Sequence, residues 1–261
     1  MKSNFLSIDQ AILRAPSIAA KEPVSAASER YVPVHTTDMV EALQKNGWGI
    51  ISASEQKVRT PDRQGFQKHI VTFGASALQT YEEIPTIALI NSADRTTKYT
   101  LLGGIHVFVC TNGLIISKKT LDEVKFKHQD ITLEQVTMAT ERMGFKLRQT
   151  AESIDSMRNR ELNNIEQIQF ATKALEIRYG DIKRSPIGTT TVLEPRREAD
   201  TQNNLWKIFN RVQENIIRGG QSDHLKDVHG RSLGRSQPIK SIDRDILINT
   251  QLWDLAESFK N

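Results

Sequence analysis

The sequence predicts an α+β fold: a mainly antiparallel sheet with a packed short helix, one long helix and a C-terminal helical extension. Three observations carry this reading. Strand-like runs follow one another from Gly49 to Ile116, separated by turns rich in Pro, Gly and Asp. The apolar period then changes from about two to between three and four after Asp130. Helical periodicity persists from there almost to the end of the chain.

The elements follow in order. Residues 1–30 mix scattered apolar residues with Ser, Ala, Pro16 and Pro23 and show no sustained period, so they read as an arm that is ordered only where it docks. Tyr31 to Pro33 reads as extended, because residues before proline avoid the helical region. In TTDMVEALQKNGWG, Thr37 is the expected cap, Met39, Val40 and Leu43 form the apolar stripe, and Gly47 ends the helix. GIISASEQKVR and FQKHIVTFG read as paired strands across the turn TPDRQG, the second with Phe66, Ile70 and Phe73 among its apolar residues. TIALINS and YTLLGGIHVFVCTNGLII follow across the polar turn ADRTTK. The unbroken apolar run LLGGIHVFVC suggests a strand buried on both faces, with Gly103 and Gly104 marking a bulge or close approach.

Thr132 and Gln135 form a capping box for the long helix, and Val136, Thr140, Met143, Leu147, Thr150, Ile154 and Met157 make its seam. A second helix, Leu162 to Tyr179, carries Ile165, Ile168, Ala171 and Leu175 and stops at Gly180. DIKRSPIGTTTVLEP reads as a linker. A third helix has Leu205, Ile208, Phe209, Val212 and Ile216 on one face and ends at Gly219 and Gly220; a fourth is capped by Ser241. The expected organisation is an arm over 1–30, an α+β core over 31–180, and a helical region over 181–261 packed on or beside that core.

The 261 residues are 38% hydrophobic and 25% charged, which is ordinary for a globular chain. No apolar run approaches the roughly 18 residues that span a bilayer, and Asp9, Gln10 and Arg14 interrupt any leader-like core. Cys110 is the only cysteine, so no intrachain disulfide or cysteine cage for zinc can form. These features point to a cytoplasmic protein with no membrane partner. A formal charge of +4 and a pI near 9.1 are mildly basic, so the distribution of charge carries the information.

Five ordered stretches, SERYVPVHTTDMVEAL, RTPDRQGFQKHIVTF, LINSADRTTKYTLLGGIHVFVCTNGLII, LWKIFNRVQENIIRGG and SIDRDILINTQLWDLAE, resemble the phage- and plasmid-like family named domain of unknown function 932. The resemblance runs from about Ser28 to Glu257, and NGL and QENIIRGG are its most specific pieces. It implies a mobile-element setting and supplies no reaction or catalytic residue.

Phosphate-loop and dinucleotide fingerprints are absent from the sequence. Asp223, His224, Asp227 and His229 have metal-ligand chemistry but share a loop, where spacing says little, and a solvated polar loop is the better reading. Cys110 and His106 are four apart in a strand, roughly 13 Å, too far for proton transfer, so Cys110 reads as a packed thiol. The expectation is no catalytic residue, no metal and no cofactor. Basic residues are more suggestive. Lys57, Arg59, Arg63, Lys68 and His69 surround the first hairpin, with Lys57 and Arg59 expected on one strand face; Arg218, Arg231, Arg235 and Lys240 mark a late loop. A solvated surface explains such residues as well as a phosphate-tracking groove does. Phe66, Trp48 and Tyr99 are the candidate stacking surfaces, whereas Trp206 and Trp253 read as core anchors.

The leading expectation is a nucleic-acid-binding protein of a mobile element that binds or anneals single-stranded DNA or RNA in recombination, with the sheet as the binding face. The order of short helix, strands and long helix resembles ring-forming single-strand annealing proteins, which leaves a homo-oligomer open. One alternative is a protein-interaction module, such as an inhibitor of a host defence enzyme, that uses the helical seam. Another is a metal-dependent nuclease using Asp62, Asp94 or Asp130.

Overall fold

The computed structural model describes residues 5–22, 35–75, 77, 83–94, 96–107, 113–115, 123–126 and 132–260. The fold is α+β, as the sequence predicts, and divides into two compact units, Met1–Arg148 and Gln149–Asn261.

The first unit opens with α1 (Ile8–Arg14), a helix within the segment that the sequence predicts to be an arm. Ser7 and Gln10 cap it reciprocally, and Leu6 N donates to Ile50 O at 2.7 Å. A side chain at position 49 would overlap the Phe5 ring, so Gly49 lets this segment lie against the strand. The arm therefore docks, with Ala11, Ala15, Ser17 and Ile18 buried. Next comes α2 (Thr36–Lys45), which starts one residue before the expected cap and has no side-chain cap of its own; Gly47, at φ +83°, follows its end.

The sheet comprises β1 (Trp48–Glu55), β2 (His69–Ala75), β3 (Glu83–Asn91), β4 (Tyr99–Val107), β5 (Gly113–Ile115) and β6 (Glu123–Phe126). All pairs are antiparallel, in the order β1-β2-β3-β4-β5. β6 joins the Tyr99 end of β4 and β5 the His106 end. β1 stops at Glu55, so Lys57 and Arg59 lie in the connection and not on a strand face as expected. Every residue of β2 is buried, so neither of its faces is open as a binding surface.

Thr132 and Gln135 cap α3 (Leu133–Asn159) reciprocally, and each seam residue from Val136 to Met157 is buried within the chain. This helix crosses the division between the units. The sequence places a boundary at 180, but α4 (Asn164–Tyr179) packs on α5 (Thr189–Leu193), α6 (Leu205–Arg218) and α7 (Ile242–Ser258) and belongs with them. α5 lies inside the expected linker. The buried face of α4 is Phe170, Ala171, Ala174, Leu175 and Arg178, whereas Ile165 and Ile168 are 69% and 52% exposed. α6 is buried on all sides from Leu205 to Ile216, and Trp206 and Trp253 anchor the second unit edge to face at 6.4 Å. Among the described residues no helix is long and apolar enough to cross a membrane.

Candidate functional site

The β1–β2 connection concentrates exposed positive charge on a braced loop. Gln56 N donates to Lys68 O at 2.8 Å, closing the base, and Pro61–Arg63 form a 3-10 turn. Gln67 Nε2 donates to Glu55 Oε1 at 2.7 Å, and Gly65 N donates to Gln67 Oε1 at 2.6 Å. The Phe66 carbonyl accepts from Ala93 N and Asp94 N, fastening the loop to the turn between β3 and β4. On this frame Lys57, Arg59 and Arg63 are exposed and Lys68 is half-buried. Asp62 is exposed beside them, and Asp94 accepts from Thr96 N and Oγ1.

His69 is a correction. It is 1% exposed, with Nδ1 3.0 Å from Ser17 Oγ and Nε2 2.8 Å from Thr36 Oγ1, and Asn91 Nδ2 donates to the same Thr36 oxygen at 3.0 Å. Burial drives its pKa down from 6.5 to about 4, so the ring is neutral at neutral pH and offers no charge to a phosphate. The cause is position: His69 opens a strand covered on both faces. Trp48 and Tyr99 are buried too, which removes them as stacking surfaces and leaves the half-buried Phe66. Tyr99 is fully enclosed, and burial raises its pKa well above the ordinary value.

In the second unit Arg218 and Arg235 are both bonded at the C-terminal end of α6. Arg218 Nη1 lies 2.8 Å from Glu214 Oε1 at the end of α6, and Arg235 Nη1 donates to Gly220 O at 3.2 Å. Arg231 is held by Asp227, with Nε 2.8 Å from Oδ2, and Lys240 is exposed. The Asp223 carboxylate is taken by Gly188 N and Thr191 Oγ1, while Asp227 also accepts from His229 N, so the four candidate metal ligands do not converge. Among the described residues no group of three or more His, Cys, Asp or Glu could hold a metal ion. Asp130 and Cys110 lie outside the described residues.

Sequence reasoning misses Arg196 and Arg197. Their adjacency in EPRRE is the signal, but it borders a stretch that reads only through its turn residues. Arg197 bridges Asp200 and Glu214, and Arg196 reaches Asn215 Oδ1 at 2.6 Å.

Comparison with known proteins assigns the family. Residues 23–253 match the model described as Domain of unknown function (DUF932). The chain belongs to this family. The UPF0380 proteins YafZ and YfjQ of Escherichia coli (strain K12) are 33% and 32% identical over 244 residues, covering 93% of this chain and 87% of each relative. No solved structure matches. In this DUF932 member the QENIIRGG block builds the last turns of α6, where Gln213, Glu214 and Asn215 are buried and hydrogen-bonded.

Proposed function

We propose that the chain binds single-stranded DNA or RNA through its phosphates, without catalysis, and that the β1–β2 connection is the primary contact. The observation that carries this is the exposure of Lys57, Arg59 and Arg63 on a loop braced by Gln67, Glu55 and the Phe66 carbonyl. A held loop loses little freedom when it meets a strand, and three cations without base-reading geometry give affinity without sequence preference. The binding surface is thus the connection and not the face of β2, which is covered.

A helix, an antiparallel meander and a long helix follow one another as in annealing proteins, which supports recombination as the setting; this is analogy of order alone. A phage or plasmid origin and a cytoplasmic location belong to the same reading. The test is fluorescence anisotropy of a labelled single strand at low salt. Binding that weakens steeply with salt is expected, and no binding to any single strand overturns the proposal.

A second reading, a protein-interaction module, draws on Ile165 and Ile168, two apolar side chains exposed one turn apart on α4. The buried seam of α3 does not serve it.

A further inference from the structure

We infer that the C-terminal end of α6 carries a phosphate-binding clamp made by Arg196, Arg218 and Arg235. On the reading proposed above, on which this rests, its ligand is a phosphodiester of a single-stranded nucleic acid. Three guanidinium groups from separate segments are anchored to one helix end. Arg196 Nε donates to Asn215 Oδ1 at 2.6 Å and its Nη2 to Gly219 O at 3.0 Å. Arg218 Nη1 lies 2.8 Å from Glu214 Oε1, and Arg235 Nη1 donates to Gly220 O at 3.2 Å. All three side chains are exposed although their anchors include fully buried groups.

The anchors are built into the fold. Asn215 is 0% exposed and its amide donates to Val192 O and Glu194 O at 2.9 Å each, which fixes the chain leading to Arg196. Glu214 is 2% exposed and its Oε1 is shared by Arg218 and Arg197. Gly219 adopts φ +60°, and a Cβ there would lie 2.6 Å from Ser236 O; Gly220 N donates to that same carbonyl at 2.7 Å. This contact, possible only for glycine, draws the Arg235 segment onto the helix end.

Two guanidinium groups share Glu214, and two more bond the carbonyls of Gly219 and Gly220 at the end of the helix. The negative end of the helix dipole helps to hold cations together there. Exposed Glu194 and Glu198 flank Arg196 and Arg197, and Asp200 pairs with Arg197. A guanidinium held by such anchors has less freedom to lose on meeting a phosphate, whose oxygens its fork geometry suits.

The test uses the full chain with two probes, inorganic phosphate at constant ionic strength and a labelled single strand. In the wild type, phosphate should shift the Nε–H resonances of Arg196 and Arg235. The double variant Arg196→Ala/Arg235→Ala should lose strand affinity more than fivefold and flatten the log-log salt slope by about 0.7, the contribution of the one phosphate the clamp holds. Arg235→Ala alone gives up one exposed carbonyl contact, so it keeps the test readable if loss of Arg196 costs the fold. Unchanged strand binding in both variants, with no phosphate shift, overturns the clamp and leaves the β1–β2 reading standing. A phosphate shift without strand binding by the wild type upholds the clamp for free phosphate and overturns that reading. Absence of both overturns both.

Discussion

Thr36 Oγ1 lies 2.8 Å from His69 Nε2, so the first residue of α2 is bonded to the first residue of β2. Ser17 Oγ meets the opposite ring nitrogen at 3.0 Å, and one neutral imidazole thereby joins the docked arm, the short helix and the sheet. The folded pKa of about 4 lies below the ordinary 6.5, so protons favour the unfolded chain. The stability this group contributes is full above pH 6.5 and is lost as pH falls through 6.5 toward 4, by up to about 3 kcal/mol. Urea unfolding from pH 7.5 to pH 4 should show the loss, and His69→Gln should flatten it.

The second unit should respond with the opposite sign. Burial raises the Asp245 pKa from 3.8 to about 6, and Asn249 Nδ2 donating at 3.1 Å only partly offsets that. A carboxyl with a raised pKa penalises the fold when ionised, so this unit gains stability as pH falls from above 6 toward 3.8. Asp245→Asn should raise stability at pH 7 by roughly 1–2 kcal/mol, after allowance for partial exposure, and remove the acid gain. Amide exchange of α7 against that of β2 at pH 7 and pH 5 separates the two trends.

The periodic parts of this fold are legible in the sequence. Long apolar stripes with caps place α3, α6 and α7, because Thr132, Gln135 and Ser241 act within three residues of the backbone groups they bond. The same local logic applies to α1 through Ser7 and Gln10, although a helix of seven residues has little period to notice. What stays hidden depends on distant partners. The burial of His69 needs Ser17 and Thr36, 52 and 33 residues away, so nothing beside it in the sequence marks it as uncharged. Lys207, Arg211 and Glu214 look like a solvated face of α6, but segments preceding the helix bury and bond them. Alternation carries β1 too far, since QKVR continues the pattern of the strand after its ladder has closed at Glu55 and His69.

Glycine replacements should separate backbone strain from steric exclusion. Gly230, at φ +76°, has open space where a Cβ would stand, with no atom within 4 Å, so Gly230→Ala should cost about 1–2 kcal/mol through backbone conformation alone. Gly219→Ala adds a clash with the Ser236 carbonyl and should cost at least about 2 kcal/mol more. Thermal unfolding of the two variants checks the order, and equal costs would mean that the contact between Gly219 and Ser236 yields easily.

The α3 seam should behave as interior. Met143 and Leu147 are 0% and 1% exposed, so Met143→Glu or Leu147→Glu places a carboxylate where water is excluded and should cost roughly 3 kcal/mol or more. Circular dichroism and urea titration read this directly. A variant that stays fully stable while losing an oligomer would show the seam to be an interface instead.

The central claim is that the β1–β2 connection holds the phosphates of a single strand. The most direct measurement is the salt dependence of strand binding by the wild type and by Lys57→Ala/Arg59→Ala/Arg63→Ala, followed by fluorescence anisotropy. Exposed charge changes of this kind usually move stability by within about 0.5 kcal/mol each, so the variant should stay folded. The account predicts that its affinity falls more than tenfold, about 1.4 kcal/mol, and that the log-log salt slope becomes shallower by about 2. A folded variant that binds as tightly as the wild type, with the same slope, would contradict it.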